Sequence, residues 1–459
     1  WGWFSGYGEH SSAHTTATVV RGLQVAKENQ VAVVPGVLER GVEWLFEYQR
    51  RQLERLANAN DTGEPIDKDR PAKRRADNLD ALVHVTLVRA GRASTEMRDR
   101  LFQDRTHLAP YSLAMLGVAL DAEGGQQDKL EMVIRNLKQF VETDQENQTA
   151  YLNLPGGYWW LWYGSEFEAH AYFLKLLART EPQSDLAAGL VKYLLNNRKH
   201  ASYWNSTRDT ALVVEAMGDY LAATEEDKPD QTVEIWLDGE KRKEVKITAE
   251  NLFTYDNAFQ LEGSALAPGR HTVEIRRSGA GRLYYNGYLT NFTLEEDIPH
   301  TGLEVRVTRR LYRLERVDAE TQVAGDRGQA VGQKQDKYQR QPVTNLASVK
   351  SGDLIEVELT LDSKNDYEFL VITDHKAAGF EPVEARSGYN GNEIGAYVEY
   401  RDAVVNLFAR QLARGKRSVT YRVRAETPGQ FSALPAVVQA MYAPELRGNS
   451  DEVKVRVVE

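Results

Sequence analysis

The chain has 459 residues, a formal net charge of −10 and no cysteine. At roughly 150 residues per domain, this length predicts about three domains. A net acidic surface disfavours binding to nucleic acid or to an anionic membrane, because both carry negative charge. The absence of cysteine excludes disulfides, Cys-ligated metals and a thiol nucleophile within this sequence. No apolar run reaches bilayer length, so we predict no transmembrane segment. We also expect no metal and no cofactor.

The first half of the chain has the periodicity of helices. Apolar residues recur at spacings of three and four over residues 1 to about 225, as in Leu79, Leu82 and Val83. Short breaks that contain Gly or Pro separate these stretches and limit each helix to the length found in hairpins. We therefore predict that residues 1 to about 225 are almost purely helical.

A loose repeat runs through this helical part. A turn rich in Gly and aromatic residues leads into a polar cap and then into a helix rich in small residues. The three copies begin at Gly2, Gly157 and Tyr203. Ser165 with Glu168, and Ser206 with Asp209, have the spacing of a capping box. Small residues let inner helices crowd round an axis, so the repeat predicts an α/α toroid. About five hairpins are present, and we expect the N-terminal part of the toroid to lie before Trp1.

The periodicity changes from 3.6 to two residues at Pro229. Alternation over residues 232–237, followed by the Asp238-Gly239 turn, predicts a small antiparallel β module over 229–298. Several further strand patterns predict a β-sandwich over 299–459. Within it, residues 318–345 are polar and rich in Gln and Gly, which predicts a flexible insertion.

This order of a helical toroid, a β module and a β-sandwich resembles the C-terminal part of the alpha-2-macroglobulin family. In that family the three regions would be the thioester-containing toroid, a CUB-like module and the terminal macroglobulin domain. The closing motifs look like those of the bacterial branch. The segments that carry the resemblance are residues 2–4, 15–20, 203–211, 371–374, 379–382, 431–435 and 441–445.

The resemblance implies a protease trap that is not an enzyme and that works in the periplasm, in the bacterial cell envelope or outside the cell. In the family, a protease cuts a bait segment, and a thioester formed by a Cys-x-Glu-Gln motif then acylates the attacker. Because this sequence has no Cys, the motif is expected to precede Trp1. The alternative is an envelope scaffold without a thioester. The expected partners are target proteases and other cell-envelope proteins.

Met441 and Tyr442 are the residues for which the resemblance implies the sharpest role. In bacterial relatives a Met-Tyr pair in this motif shields the thioester from water, and a flexible thioether beside a broad ring suits that task. The pattern of the residues alone indicates something simpler. It places the pair in the penultimate strand, with one side chain buried and the other exposed.

His10 and His14 form a second candidate site. One helical turn between them can suit a metal, but the sequence shows no third ligand, so capping and a polar surface are the favoured interpretation. In the complement relatives, a histidine in this part of the toroid transfers the acyl group from the thioester to a hydroxyl. The resemblance therefore makes His10 and His14 candidates for acyl transfer.

A third group of residues suggests a different class of function. The aromatic run at residues 158–163 is either packing in the hub or a platform for sugars. Nearby charged residues could act as acid and base in a polysaccharide lyase or a glycoside hydrolase, although helix capping explains them as well. These charged residues are Glu166, Glu168, Arg208 and Asp209. Buried rings at Trp159, Trp160 and Trp162 would favour the trap, and exposed rings would favour the lyase.

Overall fold

The computed structural model describes residues 1–2, 10–154, 165–198, 203–290, 297–317, 337–384 and 386–459. The chain divides into two compact units. The first consists of Trp1–Asn196 with Asn205–Gly287, and the second of Asn197–Trp204 with Tyr288–Glu459. Among the described residues, no helix has the length and apolar character that crossing a membrane requires.

Up to Thr224, the described residues of the first unit form helices and one short hairpin. Helices α1 to α9 span Ala13–Glu28, Val37–Ala57, Asn78–Arg89, Thr95–Gln103, Pro110–Glu123, Gln127–Lys138, Glu166–Thr180, Asp185–Asn196 and Thr207–Thr224. The hairpin consists of β1 (Val141–Asp144) and β2 (Thr149–Leu152) and lies between α6 and α7. The predicted helical half is confirmed, and this hairpin is the difference from an all-helical segment.

The helices form an inner and an outer layer. The odd-numbered helices pack side by side in chain order, α1 on α3, α3 on α5, α5 on α7 and α7 on α9. The even-numbered helices pack against their sequence neighbours. Every residue of α5 from Pro110 to Leu120 is buried, whereas α6 buries a single apolar stripe. Alternating inner and outer helices are what the repeat predicts for a toroid.

The inner helices surround a charged axis. Arg89 of α3 and Lys175 of α7 donate to Oε1 of Glu215 on α9, at 2.8 and 2.9 Å, and Arg21 of α1 pairs with the other oxygen. Burial disfavours the charged form of Glu215, but Arg21 and Lys175 outweigh it and lower the pKa to about 2. One carboxylate therefore links four inner helices.

A three-stranded antiparallel sheet completes the first unit. Its strands β3 (Asp230–Leu237), β4 (Glu240–Thr248) and β5 (Val273–Ala280) lie in the order β4-β3-β5. Asp238 and Gly239 join β3 to β4 with φ angles of 51° and 82°. Positive φ at both residues is the mark of a tight hairpin turn, as the sequence predicts.

The second unit is a β-sandwich. Strands β6 to β19 span Val305–Val317, Lys337–Val343, Ala347–Lys350, Leu354–Ser363, Tyr367–His375, Phe380–Pro382, Gly388–Tyr389, Tyr397–Tyr400, Val404–Leu412, Gly415–Ala425, Gly429–Ala433, Val437–Ala440, Ala443–Asn449 and Val453–Val458. A six-stranded sheet (β12-β13-β14-β10-β17-β18) and a five-stranded sheet (β11-β15-β9-β6-β7) share one apolar core. A smaller sheet, β16-β19-β8, contains the parallel pair β19–β8.

The C-terminal boundary of the predicted flexible insertion at 318–345 is wrong, because part of that range forms a strand. Residues 337–343 form β7, which pairs antiparallel with β6 at the edge of the five-stranded sheet. On this strand Arg340 lies 5.0 Å from the ring centroid of Tyr312 and donates to Glu358 at 3.1 Å. Edge strands are often charged, so a polar composition concealed a strand here. Residues 318–336 lie outside the described residues.

A fully buried ion pair joins the two large sheets. Nη1 of Arg309 on β6 donates to Oδ1 of Asp374 on β10 at 2.6 Å. The second oxygen of Asp374 accepts from the hydroxyl of Tyr421 at 2.6 Å. The guanidinium also donates to the carbonyl oxygens of Ala433 and Leu434, at 2.6 and 2.7 Å. This dense bonding offsets the cost of removing two charges from water.

Candidate functional site

The N-terminal ends of the inner helices collect the polar side chains that the sequence singled out. The Ser165 hydroxyl caps α7 by accepting from the backbone N–H of Glu168 at 3.0 Å, and the Ser206 hydroxyl caps α9 by accepting from the N–H of Asp209 at 3.1 Å. The predicted serine caps are therefore present.

The acidic members of both predicted capping boxes bond to the neighbouring helix. The Ser165 hydroxyl donates to Oδ1 of Asp209 at 2.6 Å, and Arg208 donates to Oε1 of Glu168. In the first bond the donor belongs to the N-terminal end of α7, and in the second bond the donor belongs to α9. These two bonds connect the N-terminal turns of α7 and α9. The spacing of residues within one helix cannot predict such a contact between helices.

Glu168 is the most strongly perturbed acid of this cluster. It is only 1% exposed, and its Oε2 has no hydrogen-bond partner among the described residues. Burial raises the pKa of Glu168 to about 7, against the opposing effect of Arg208. The carboxyl group therefore keeps its proton to a higher pH than an exposed glutamate does.

His14 and Tyr111 complete the cluster. His14 is the second residue of α1 and is buried. Burial, assisted by Arg208, lowers its pKa to about 4, so the imidazole is neutral at physiological pH. Tyr111 is the second residue of α5, and burial together with Glu168 raises its pKa to about 12. A neutral imidazole and a protonated phenol thus both lie within electrostatic range of Arg208.

His10 and His14 do not lie one turn apart on a single helix. His10 is exposed and precedes α1, which begins at Ala13. The two imidazoles therefore do not share a helical face. Within the part of the chain that the structure describes, no group of three or more His, Asp or Glu side chains could hold a metal ion.

Met441 and Tyr442 form the turn between β17 and β18. Their predicted place in the penultimate strand is wrong, because that strand begins at Ala443. Both side chains are exposed, Met441 by 42% and Tyr442 by 55%. The backbone N–H of Met441 donates to the carbonyl oxygen of Phe369 at 2.8 Å, and the rings of Tyr442 and Phe369 meet edge to face at 5.4 Å. The turn is thus held against β10.

Comparison with known proteins shows which proteins the chain resembles. Residues 305–445 match the model of the bacterial alpha-2-macroglobulin MG10 domain. The alpha-2-macroglobulin homolog of Nostoc sp. (strain PCC 7120 / SAG 25.82 / UTEX 2576) is 28% identical over 346 residues. That match covers 72% of this chain and 17% of the relative. The resemblance to bacterial alpha-2-macroglobulins that the sequence predicts is therefore confirmed.

Solved structures of bacterial alpha-2-macroglobulins align with the chain over nearly its whole length. Trypsin-activated alpha-2-macroglobulin from Escherichia coli is 17% identical, with a TM-score of 0.42, over 98% of this chain and 28% of that one. The native Escherichia coli protein from domain MG7 to the C-terminus is 19% identical, with a TM-score of 0.34, over 98% of this chain and 64% of that one. The chain spans 17% of the length of the curated relative.

The candidate residues fall into two groups. Met441 and Tyr442 lie within the residues that match the MG10 model, and His14 and Glu168 lie in the helical unit. Tyr111 was missed by sequence reasoning, although Pro110 marks the start of its helix. The exposure of the rings of Trp159, Trp160 and Trp162 would distinguish a trap from a lyase. These three residues lie outside the described residues.

Proposed function

We propose that this chain is part of a bacterial alpha-2-macroglobulin-like protease trap and is not itself an enzyme. The similarity of residues 305–445 to the bacterial alpha-2-macroglobulin MG10 domain, and of the chain to the Nostoc homolog, supports this role. The helical unit would be the scaffold that carries the thioester region, and the sandwich would carry its lid. The Cys and Gln of the thioester would lie in another part of the polypeptide, because this sequence has no cysteine.

The observation that carries the lid hypothesis is the geometry of the Met441-Tyr442 turn. The apolar side chain of Met441 and the aromatic ring of Tyr442 project from a hairpin turn and are exposed. Neither is buried in the core of the sandwich. A hydrogen bond and an aromatic contact to Phe369 hold them in place. A lid that excludes water needs apolar atoms presented on a rigid support. The exposed turn has both properties.

Of the two candidate histidines, His10 suits acyl transfer better. A general base must reach the reacting hydroxyl and must hold its proton well. His14 is buried, and its pKa of about 4 makes it a weak base. His10 is exposed. We assign the acyl-transfer role to His10, and we assign His14 to packing at the N-terminal ends of the inner helices.

The buried positions of Glu168 and Asp209 disfavour the lyase alternative. An acid that protonates a glycosidic oxygen has to touch the sugar, and these two carboxyl groups are almost completely enclosed. The trap would work in the periplasm, in the cell envelope or outside the cell. Its partners would be target proteases and other cell-envelope proteins.

The test is the capture of a protease. Trypsin is a suitable probe, because it activates the Escherichia coli relative. We expect the longest polypeptide that the gene encodes to form a covalent adduct with trypsin, visible as a band of higher mass on a denaturing gel. The 459-residue chain should form no adduct and should not incorporate methylamine, because it has no thiol to hold an acyl group.

Two results would contradict the proposal. A stoichiometric methylamine adduct on the 459-residue chain would mean that reactive chemistry lies within it. A longest polypeptide without the Cys-x-Glu-Gln motif, and without a trypsin adduct, would favour the envelope scaffold that lacks a thioester.

A further inference from the structure

Phe369 on β10 has a backbone conformation that is unusual for a bulky side chain. Its φ angle is 55°, in the left-handed region that favours glycine. A bulky residue with a positive φ is a conformational outlier, and such residues persist only where the surrounding structure imposes the conformation. They cluster at functional sites, where the strain is part of the mechanism. We therefore expect a role for Phe369 in the contacts of its backbone and its ring.

Neither the core of the sandwich nor strand pairing explains this conformation. Leu370, the next residue, is buried in the shared apolar core, whereas Phe369 is only partly buried and lies outside that core. The register of β10 with β14 is the same on both sides of Phe369, with the Cα pairs Glu368–Gln411 and Leu370–Ala409. No residue is inserted into the strand, so pairing does not require the left-handed angle.

The turn formed by Met441 and Tyr442 lacks the geometry that stabilises a two-residue turn by itself. Ala440 pairs with Ala443, so Met441 and Tyr442 are the two loop residues of this hairpin. The favoured two-residue turns have a positive φ at the first loop residue or at both. The turn between β3 and β4 meets this requirement, but neither Met441 nor Tyr442 has a positive φ. Support from outside the hairpin is therefore needed to fix the direction of this turn.

Phe369 supplies this support through its backbone and through its ring. Its carbonyl oxygen accepts from the N–H of Met441 at 2.8 Å. Its ring meets the ring of Tyr442 edge to face, with 5.4 Å between the centroids and 83° between the planes. This geometry is favourable for two aromatic rings. The left-handed backbone of Phe369 is the conformation in which both contacts are made together.

We propose that Phe369 is the positioning residue of the lid. It sets the direction in which Met441 and Tyr442 project, and it acts on the thioester only through them. This inference rests on the proposed trap function. A lid excludes water only while its apolar groups stay in place. Without the ring of Phe369 the turn opens more often, and water or an amine reaches the thioester during each opening.

Hydrogen exchange in the 459-residue chain tests the first step. Phe369→Ala removes the ring and should speed exchange of the Met441 amide about ten-fold or more, as followed by mass spectrometry of overlapping peptides. Phe408→Ala is the matched control, because Phe408 is another partly buried phenylalanine of the same sheet, on β14. It should leave this exchange unchanged. Phe369→Tyr retains the ring and should keep the exchange slow.

Thiol release from the longest polypeptide that the gene encodes tests the second step. Before any protease has cut, methylamine should release thiol from Phe369→Ala about ten-fold faster than from the parent, since the rate follows the fraction of time that the lid is open. Phe369→Tyr and Phe408→Ala should behave like the parent. A purely structural role would lower the melting temperature of Phe369→Ala and leave both the exchange and the thiol release unchanged.

The possible failures are distinguishable. Equal exchange of the Met441 amide in the parent and in Phe369→Ala would overturn this inference alone. Early thiol release from Tyr442→Ala but not from Phe369→Ala would do the same and would leave the proposed function intact. An equal effect of Phe408→Ala would also overturn the inference, because the loss of any ring from the sheet would then suffice. No thiol from any of these proteins, even after denaturation in methylamine, would overturn the proposed function and this inference together.

Discussion

The two compact units handle buried charge in different ways. In the helical unit, charges from four inner helices meet on an axis that remains partly open to solvent, and three cations share Glu215. In the sandwich, Arg309 and Asp374 are enclosed in an apolar core with backbone carbonyls and a tyrosine hydroxyl around them. When one charged side chain of the helical cluster is removed, the remaining ones can shift to new partners or to water. When one side chain of the pair in the sandwich is removed, the other is left as an unpaired buried charge.

The largest effect should follow from breaking the enclosed pair. Arg309→Met removes the partner of Asp374 and should lower the free energy of unfolding of the sandwich by about 3–5 kcal/mol. Urea unfolding followed by near-ultraviolet circular dichroism measures this loss. Arg310→Met is the matched control on the next, exposed residue of the same strand, and it should change stability by about 0.5 kcal/mol or less.

A double variant separates the pair from its packing. Arg309→Met combined with Asp374→Leu removes both charges, and it should recover much of the stability that the single variant loses. If the double variant is no more stable than Arg309→Met, the loss comes from packing and not from an unpaired carboxylate.

A smaller effect is expected on the open axis. Glu215→Gln removes the carboxylate that three cations share and should cost about 2–3 kcal/mol at pH 7, less than the pKa alone implies because the side chain is partly exposed. The pKa of Glu215 is lowered from 4.5 to about 2. Its contribution is therefore complete above pH 4.5 and is lost as the pH falls towards 2.

The matched control for this variant is Glu39→Gln on the exposed surface of α2, where the carboxylate lies 3.8 Å from Lys27. We expect thermal melting at pH 7 to show no measurable change for it. Equal melting losses for the two variants would show that the axis charges behave as ordinary surface pairs.

The pH dependence of Glu168 should have the opposite sign. The folded protein keeps a proton on Glu168 up to about pH 7, whereas the unfolded chain releases it near pH 4.5. The contribution of Glu168 to stability is therefore present below pH 4.5 and is lost as the pH rises to 7. Glu168→Gln should be more stable than the parent at pH 8, by about 1–3 kcal/mol.

Denaturant midpoints of both proteins between pH 4.5 and 8 measure this difference. His14, with a lowered pKa, makes the parent and the variant alike less stable towards acid. The difference between the two proteins therefore isolates Glu168. A difference that does not change with pH would mean that Glu168 keeps an ordinary pKa.

The sequence predicted what depends on local pattern. Periodicity predicted helices before Pro229 and β-strands after it. The spacing of polar residues predicted the helix caps at Ser165 and Ser206. Contacts between helices could not be predicted from local pattern. The Glu168–Arg208 pair, for example, joins residues 40 positions apart. The strand at 337–343 was concealed by its polar composition. The turn at Met441 was mistaken for a strand because alternation continues on both sides of it.

The smallest effect is expected at the turn of the sandwich. Tyr442→Ala removes an exposed ring whose described ring contact is with Phe369, so the 459-residue chain should lose about 1 kcal/mol or less. Tyr421→Ala is the core control, because that ring is buried and its hydroxyl donates to Asp374. It should cost about 3–5 kcal/mol. Similar losses in urea unfolding would make Tyr442 an ordinary structural residue.

The most direct test of the proposed trap is the release of free thiol by the longest polypeptide that the gene encodes, before any protease has cut it. If Tyr442 shields a thioester, Tyr442→Ala should let methylamine or water open the bond, because alanine leaves a gap about the size of the lost ring. A thiol-reactive dye should then detect about one thiol per molecule in the uncleaved variant and far less in the parent. Equal and low thiol release in both proteins, together with a large loss of stability in Tyr442→Ala, would contradict the account.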